Sequence, residues 1–375
     1  VLKEIPSYDL QPLGELTPKA LLHLLKRSLF GAGQKDLTAF HGKDINQSLN
    51  VLLTPSSFPA APVQEDSDIK DPLVPRGHQW TKAPYENDLI DNRRALFLRM
   101  WWMGNILNRD HSLTEKMTLF WHTHFVTEMD IVKDSRYSYT YLELIRKHAL
   151  GNMKSLIREG TTNIAMLVYL GGNQNTKSAP NENYARELFE LFTLGKDPRV
   201  KYTEEDIRAA ARILSGYKDD KDTLTVTFDP DLHDTGDKHF SAYFENHTIK
   251  GQEGQAGKTE IDELIDMIFR RRDAALFFCR NIYRWFVCDT IDDRTEELII
   301  EPLAQTFIDH DFEVVPVIRQ LLSSRHFFDP AFRGAIVKSP VDLLIGSMHE
   351  FDMVRIHRLD TNHEPWLQFF FLQQI

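Results

Sequence analysis

The sequence predicts a mainly α protein, a multi-helix orthogonal bundle with a small β-hairpin or sheet insertion around residues 223–250. Three observations predict it. Apolar residues recur at helical spacing through most of the 375 residues. Helix start signals precede those runs: Thr17-Pro18, Ser112 with Glu115, Thr203 with Asp206, and Ser339-Pro340. Strict alternation occurs only where Leu224, Val226 and Phe228 interleave with Thr223, Thr225 and Thr227.

Taken in order, the first helix starts at Thr17, uses Leu21, Leu22, Leu25 and Leu29 as its apolar face, and ends near Gly31. A second, weaker helix lies around residues 44–53. Six prolines between Pro55 and Pro84 break every periodic pattern, so residues 54–86 read as an extended surface loop. A long helix begins at Asn87. Another, opened by a Ser112–Glu115 capping box, carries Trp121-His122-Thr123-His124-Phe125 and is apolar on most faces, as buried helices are.

Helices follow over residues 139–148, 152–159 and 163–170. Residues 180–195 read as one helix, with Tyr184, Leu188, Leu191 and Phe192 on its apolar stripe and Gly195 as the left-handed stop. Thr203 and Asp206 cap the next, which Gly216 closes. Within the insertion over residues 222–257, Lys238 to Lys250 supply strand partners, and the glycine-rich 251–257 stretch is a turn. Thr259 caps a run to Arg270, and further helices cover 273–287, 295–307 and 315–322. The domain organisation expected is one large helical domain over residues 1–375.

Composition narrows the function classes. A hydrophobic content of 42% with 26% charged residues suits a globular chain with a sizeable core. The formal net charge of -11 disfavours nucleic acid as a partner, because phosphate backbones are bound by clustered Lys and Arg. No apolar stretch approaches the roughly 20 residues that cross a bilayer. Cys279 and Cys288, nine apart on one helix, face opposite sides and cannot pair, which leans toward a reducing compartment. The chain starts at Val1, compatible with a removed leader. It ends on the apolar cluster Trp366, Phe369, Phe370, Phe371 and Leu372, which calls for a protein partner or a continuation of the chain.

Several strings, in order, resemble the bacterial domain-of-unknown-function 1800 family. They are Phe120-Trp121-His122-Thr123-His124-Phe125, then Asn181-Glu182-Asn183-Tyr184-Ala185-Arg186-Glu187-Leu188 ending at Thr193-Leu194-Gly195, then Tyr202-Thr203-Glu204-Glu205-Asp206 with Ala211-Arg212, His233-Asp234 with Lys238, and Lys338-Ser339-Pro340. The resemblance spans residues 16–374. It implies a mostly helical bacterial protein, often exported, in the periplasm or cell envelope, although the sequence leaves the cytoplasm open. It implies no activity and no catalytic residue. The bulky His239-Phe240-Ser241-Ala242-Tyr243-Phe244 departs from the family's glycine-bearing strand, and no export signal is recognisable.

Chemistry has few places to live. His122 and His124, two apart on a helix, point about 200° from each other and cannot share one metal. His124 faces the core, where a histidine is ordinarily satisfied by a backbone carbonyl or carboxylate. Glu187 and Glu190, three apart, either share a metal or a proton or form a solvated face. Arg186 and Arg212 are anion clamps or ordinary surface residues. His233 and Asp234, in a polar loop with Asp229, Asp231 and Asp237, supply many ligand atoms, or merely cap their own backbone.

Two functional readings follow. One is a metal-assisted enzyme, most plausibly a hydrolase, with His124, Glu187, His233 and Asp234 as ligands of a divalent metal and Glu187, Glu190, His233 and Asp234 as catalytic groups. The other is a non-catalytic helical scaffold or interaction protein of a bacterial cell-envelope assembly. Substrate, metal and oligomeric state are not legible.

Overall fold

The computed structural model describes residues 7–65 and 70–353. The C-terminal apolar cluster expected to meet a partner lies outside the described residues. The fold is mainly helical with two small antiparallel sheets. The chain divides into two compact units, and the divisions fall inside three of its helices.

Unit 1 comprises residues 1–83, 96–120 and 279–375. Its first helices are α1 (Pro18–Ser28), α2 (Gln34–Phe40) and α3 (Ile45–Leu52). It then takes the later part of α4 (Asp88–Leu107) and most of α5 (Thr114–His124). The Thr17 hydroxyl accepts from the Ala20 N–H and Pro18 follows, as the sequence predicts. α2 carries no strong apolar period and is not legible in the sequence. It is held by the Asp36 carboxylate, which accepts from the Gly33 N–H.

The start of α5 differs from expectation. Ser112 does not form a box with Glu115: its own N–H donates to Asp110, while its hydroxyl donates to the Thr54 carbonyl and accepts from the Thr114 N–H. The serine therefore ties the proline-rich loop to the helix. No helix or strand forms between Leu53 and Asp88 among the described residues, as the prolines require.

The unit closes with the end of α13 (Arg272–Phe286), α14 (Asp293–Thr295), a π-helical turn over Glu296–Ile300, α15 (Glu301–Asp309), α16 (Val314–Ser323) and α17 (Pro340–Glu350). Leu24, Leu25, Leu49, Phe307, Ile318 and Leu321 are wholly buried at its centre. α17 approaches the turn after α1 so closely that a Cβ on Gly31 would lie 2.5 Å from the Gly346 carbonyl oxygen, and Gly31 has φ +72°.

Unit 2 comprises residues 84–95 and 121–278. After the end of α5 it holds α6 (Met129–Val132), α7 (Ser135–Lys147), α8 (Met153–Thr161) and α9 (Ile164–Tyr169). Asn152 and Asn163 cap α8 and α9 through their side chains. α10 (Glu182–Glu187) runs into a π-helical turn over Leu188–Thr193, so the single α-helix expected here is an α-helix that widens. Tyr184, Leu188 and Phe192 keep the buried stripe, but the wider turn rotates Leu191 outward to 47% exposure. Gly195 ends the segment at φ +81°, as predicted.

α11 (Glu204–Ile213) has the predicted Thr203–Asp206 capping box. The sheets also differ from expectation. β2 (Thr225–Phe228) pairs with β1 (Tyr217–Asp220), directly after Gly216, and β3 (Lys238–His239) pairs with β4 (Thr248–Ile249) in a second ribbon. The register places Tyr217 opposite Phe228, an apolar pair that β1 otherwise lacks. α12 (Glu260–Arg270) is not capped by Thr259, whose hydroxyl donates to the Ala256 carbonyl. A 3-10 turn over Gly254–Thr259 feeds the helix directly. Cys279 is buried, Cys288 is half-buried, and neither is in a disulfide.

Two outcomes are expected. Gly31→Ala forces a left-handed alanine against the α17 backbone and should cost about 2–4 kcal/mol in urea unfolding. Burial lowers His23, His122, His124 and His349 each to about 4, with Arg27 and Arg109 adding to the effect at His23 and His349. The unfolded chain takes up those protons first, near its ordinary value of about 6.5. Stability should therefore be fully present above pH 6.5 and fall as the pH drops toward 4, by up to about 1.4 kcal/mol per pH unit for each ring. His124→Leu should flatten that slope.

Candidate functional site

The loop between β2 and β3 brings the polar residues of unit 2 together. His233 is buried at 1% exposure, and Nδ1 donates to the Ser215 carbonyl at 2.9 Å. Its Nε2 meets Glu260 Oε1 at 3.2 Å. Lys238, wholly buried, donates to Glu260 Oε2 at 2.5 Å and to the Asp234 carbonyl. The Gln252 N–H gives Glu260 a further donor at 2.7 Å. Burial alone would raise the Glu260 carboxyl, but the bonds from His233 and Lys238 outweigh it and hold the group below the ordinary carboxylate range.

Asp234 is engaged on both oxygens. Arg212 Nε donates to Oδ2 at 2.9 Å and Nη2 to Oδ1 at 2.8 Å, a bidentate fork, and the Gly236 N–H also reaches Oδ1. That fork lowers the Asp234 carboxyl and raises the Arg212 guanidinium. Ser215 completes the set, its hydroxyl accepting from the Asp234 N–H at 3.0 Å and donating to the Arg212 carbonyl at 2.6 Å. Asp229 and Asp231 stay with the local turn, where Asp229 accepts from the Asp231 N–H, and Asp237 pairs with Lys250.

The remaining candidates lie elsewhere. Glu190 is ion-paired to Lys196 at 2.6 Å and to Arg186 at 3.6 Å, and Arg186 forks onto Glu204 at 2.9 and 2.6 Å. Glu187 has a buried carboxylate oxygen, Oε2, with no hydrogen-bond partner. Burial raises the Tyr169 phenol, and the charges of Glu128 and Glu187 raise it further, so these three groups neighbour one another. His124 sits among the rings of Phe125, Phe277, Phe278 and Trp121 at 4.4–6.1 Å, with Nε2 only at the limit of reach, 3.5 Å from the Phe192 carbonyl. The structure thus joins His233 to Asp234 through Ser215 and Lys238. Among the described residues no hydrogen bond or ion pair joins either of them to His124, Glu187 or Glu190, and no three His, Cys, Asp or Glu side chains form a metal-holding group.

With that geometry in place, the comparison with known families is decisive about kinship. The chain belongs to the DUF1800 family. The family model, described as a protein of unknown function, matches residues 23–371. No curated relative and no solved structure matches the chain.

The DUF1800 strings take on distinct physical roles. His233-Asp234 and Lys238 form the buried network, Ala211-Arg212 supplies its guanidinium, and Thr203 with Asp206 caps α11. Sequence reasoning missed Glu260 and Ser215. Glu260 follows a threonine at a helix start and looks like an ordinary first-turn carboxylate, so only its three-dimensional partners reveal it. No helix among the described residues is long and apolar enough to cross a membrane.

Removing one partner of a fully buried pair leaves a bare charge. Lys238→Met should cost about 3–5 kcal/mol by chemical denaturation. In the Lys238→Met/Glu260→Gln double variant the loss should be well below the sum of the single losses, since both charges leave together.

Proposed function

We propose that this DUF1800 chain is a non-catalytic helical scaffold or interaction protein, working in a bacterial cell-envelope assembly. One observation carries the reading: the most reactive-looking residues are already committed to each other. Both nitrogens of His233 and both oxygens of Asp234 have protein partners, so a ligand at either would have to displace Glu260 or Arg212. A buried polar network satisfied in this way rigidifies a fold. Exposed apolar side chains in unit 1 favour a partner surface. Leu343 on α17 and Phe351 at its C-cap are 57% and 76% exposed, and Val337 before the helix is 94% exposed.

A second reading keeps the metal-assisted hydrolase, with Glu187 as its centre. What favours it is the unpartnered, buried Oε2 of Glu187 beside Tyr169 and Glu128, because a buried acceptor in that state calls for a water or a cation. In this reading Glu187 holds the cation and Glu190 serves as a base, while His233 and Asp234 stay with Glu260 and Arg212.

Metal analysis of protein purified without chelator separates the two. The scaffold reading expects no stoichiometric metal, and Glu187→Ala and His233→Ala variants that match the parent in metal content. About one equivalent of metal, lost in the Glu187→Ala variant, would overturn the scaffold reading in favour of a metal site at Glu187. For the partner surface, Leu343→Glu with Phe351→Glu should abolish any complex isolated with the parent chain while leaving its unfolding midpoint unchanged.

A further inference from the structure

The two strings that most clearly mark the family meet at a feature that neither functional reading uses. Phe125 ends the first string, and Tyr184, Leu188 and Phe192 come from the second. All four line one cavity inside unit 2, together with side chains of α7, α8 and α9. The cavity has a free volume of about 20 Å³ and is open to solvent on one side. That exceeds the roughly 10–15 Å³ one water needs, yet the walls are wrong for water, which requires two to four polar partners.

The side-chain hydroxyls on the wall are all engaged by backbone carbonyls. Tyr141 Oη donates to the Phe125 carbonyl at 2.6 Å, and Tyr184 Oη to the Thr161 carbonyl at 2.6 Å. The Thr161 hydroxyl donates back to the Ile157 carbonyl. What faces inward is hydrocarbon and ring. Gly160 is the one lining residue that is only half-buried, and a Cβ there would meet nothing within 4 Å, so open space lies beside this glycine.

A third observation is the π turn over Leu188–Thr193. Such turns are rare and are frequent at functional sites. Here the Thr193 hydroxyl donates to the Leu188 carbonyl five residues back, and the widened turn sets Leu188 and Phe192 as one wall of the cavity.

We propose that this cavity is a binding site for the end of a neutral alkyl chain, which enters past Gly160 and lies against Tyr141, Tyr184 and the π turn. The apolar walls select hydrocarbon. The narrow free space selects a single chain over an aromatic ring. The inference is independent of whether the chain is a scaffold or a hydrolase, since it uses none of His124, Glu187, Glu190, His233 or Asp234.

The test is a methyl-labelled NMR titration of the full chain with 1-propanol, 1-butanol, 1-pentanol and 1-hexanol. Saturable shifts are expected at the methyls of Ile145, Leu156, Met166 and Leu188, with affinity rising about fourfold per added methylene until the cavity is full. Gly160→Leu should block the mouth and abolish the shifts, while Gly160→Ala, favoured in a helix, should bind and remain folded. A Gly160→Leu variant that fails to fold leaves the chain-length dependence of the parent as the deciding measurement. Phosphatidylcholine vesicles distinguish the source: the same shifts with vesicles assign the chain to a lipid, and shifts with alkanols alone to a free compound. Absence of saturable shifts at these methyls, or affinity that does not increase with chain length, overturns the proposal and makes the cavity a packing void.

Discussion

The β insertion of unit 2 depends on one buried carboxylate. Glu260 is 1% exposed and meets His233 Nε2, the Lys238 ammonium and the Gln252 N–H, three points that are otherwise separate in the chain. A charge in that position is tolerable only while every partner stays, because the desolvation of an unpaired ion costs several kcal/mol. The backbone is shaped to allow it. A Cβ on Gly251 would lie 2.0 Å from the Thr235 carbonyl oxygen, and one on Gly257 would lie 2.8 Å from the His233 ring. The short ribbons β1–β2 and β3–β4 are too small to be stable alone. The ion network and these two glycines supply the tertiary constraint that such ribbons lack.

The same constraint explains why His233 and Asp234 read as a reactive pair in the sequence. A histidine and an aspartate side by side in a polar loop are the residue types that catalysis uses, and also the types that a buried network needs. The difference lies in what each atom touches. Asp234 meets Arg212 along the guanidinium fork, and that arrangement is selected by geometry between α11 and the loop, twenty-two residues on in sequence. No local pattern encodes such a meeting, so the candidate site was legible only as a set of residue types.

Features of the fold that depend on neighbours in sequence were legible. The caps at Thr17, Thr203 and Ser339 work through the next turn of the same helix, and they form as the sequence indicates. Where a distant group competes, local reading fails. Ser112 looks like half of a capping box, but the Thr54 carbonyl and Asp110 claim it first. β1 was hidden because Lys218, Asp219 and Asp220 carry no alternation. Its strand character comes from pairing with β2. The π turn was hidden for a further reason: Leu188, Leu191 and Phe192 fit an α stripe well, and only the i→i+5 bonding moves Leu191 off it.

Lys338-Ser339-Pro340 shows the same division of labour in unit 1. Ser339 caps α17 by accepting from the Asp342 N–H, and Pro340 occupies the first turn, where its missing N–H costs nothing. The cap sets the position of Asp342, whose carboxylate pairs with Lys116 inside the unit. Lys116 is almost wholly buried, its ammonium 4.8 Å from the centre of the Phe30 ring and 5.1 Å from that of Trp285. Burial lowers it to about 8, against the pull of Asp342 in the other direction. An ammonium in such a place persists because a carboxylate and two aromatic faces replace its water. The serine and proline of the string therefore act at one remove, by fixing the helix that delivers the carboxylate to the lysine. A string that looks like surface capping is in this way part of the interior electrostatics of the unit.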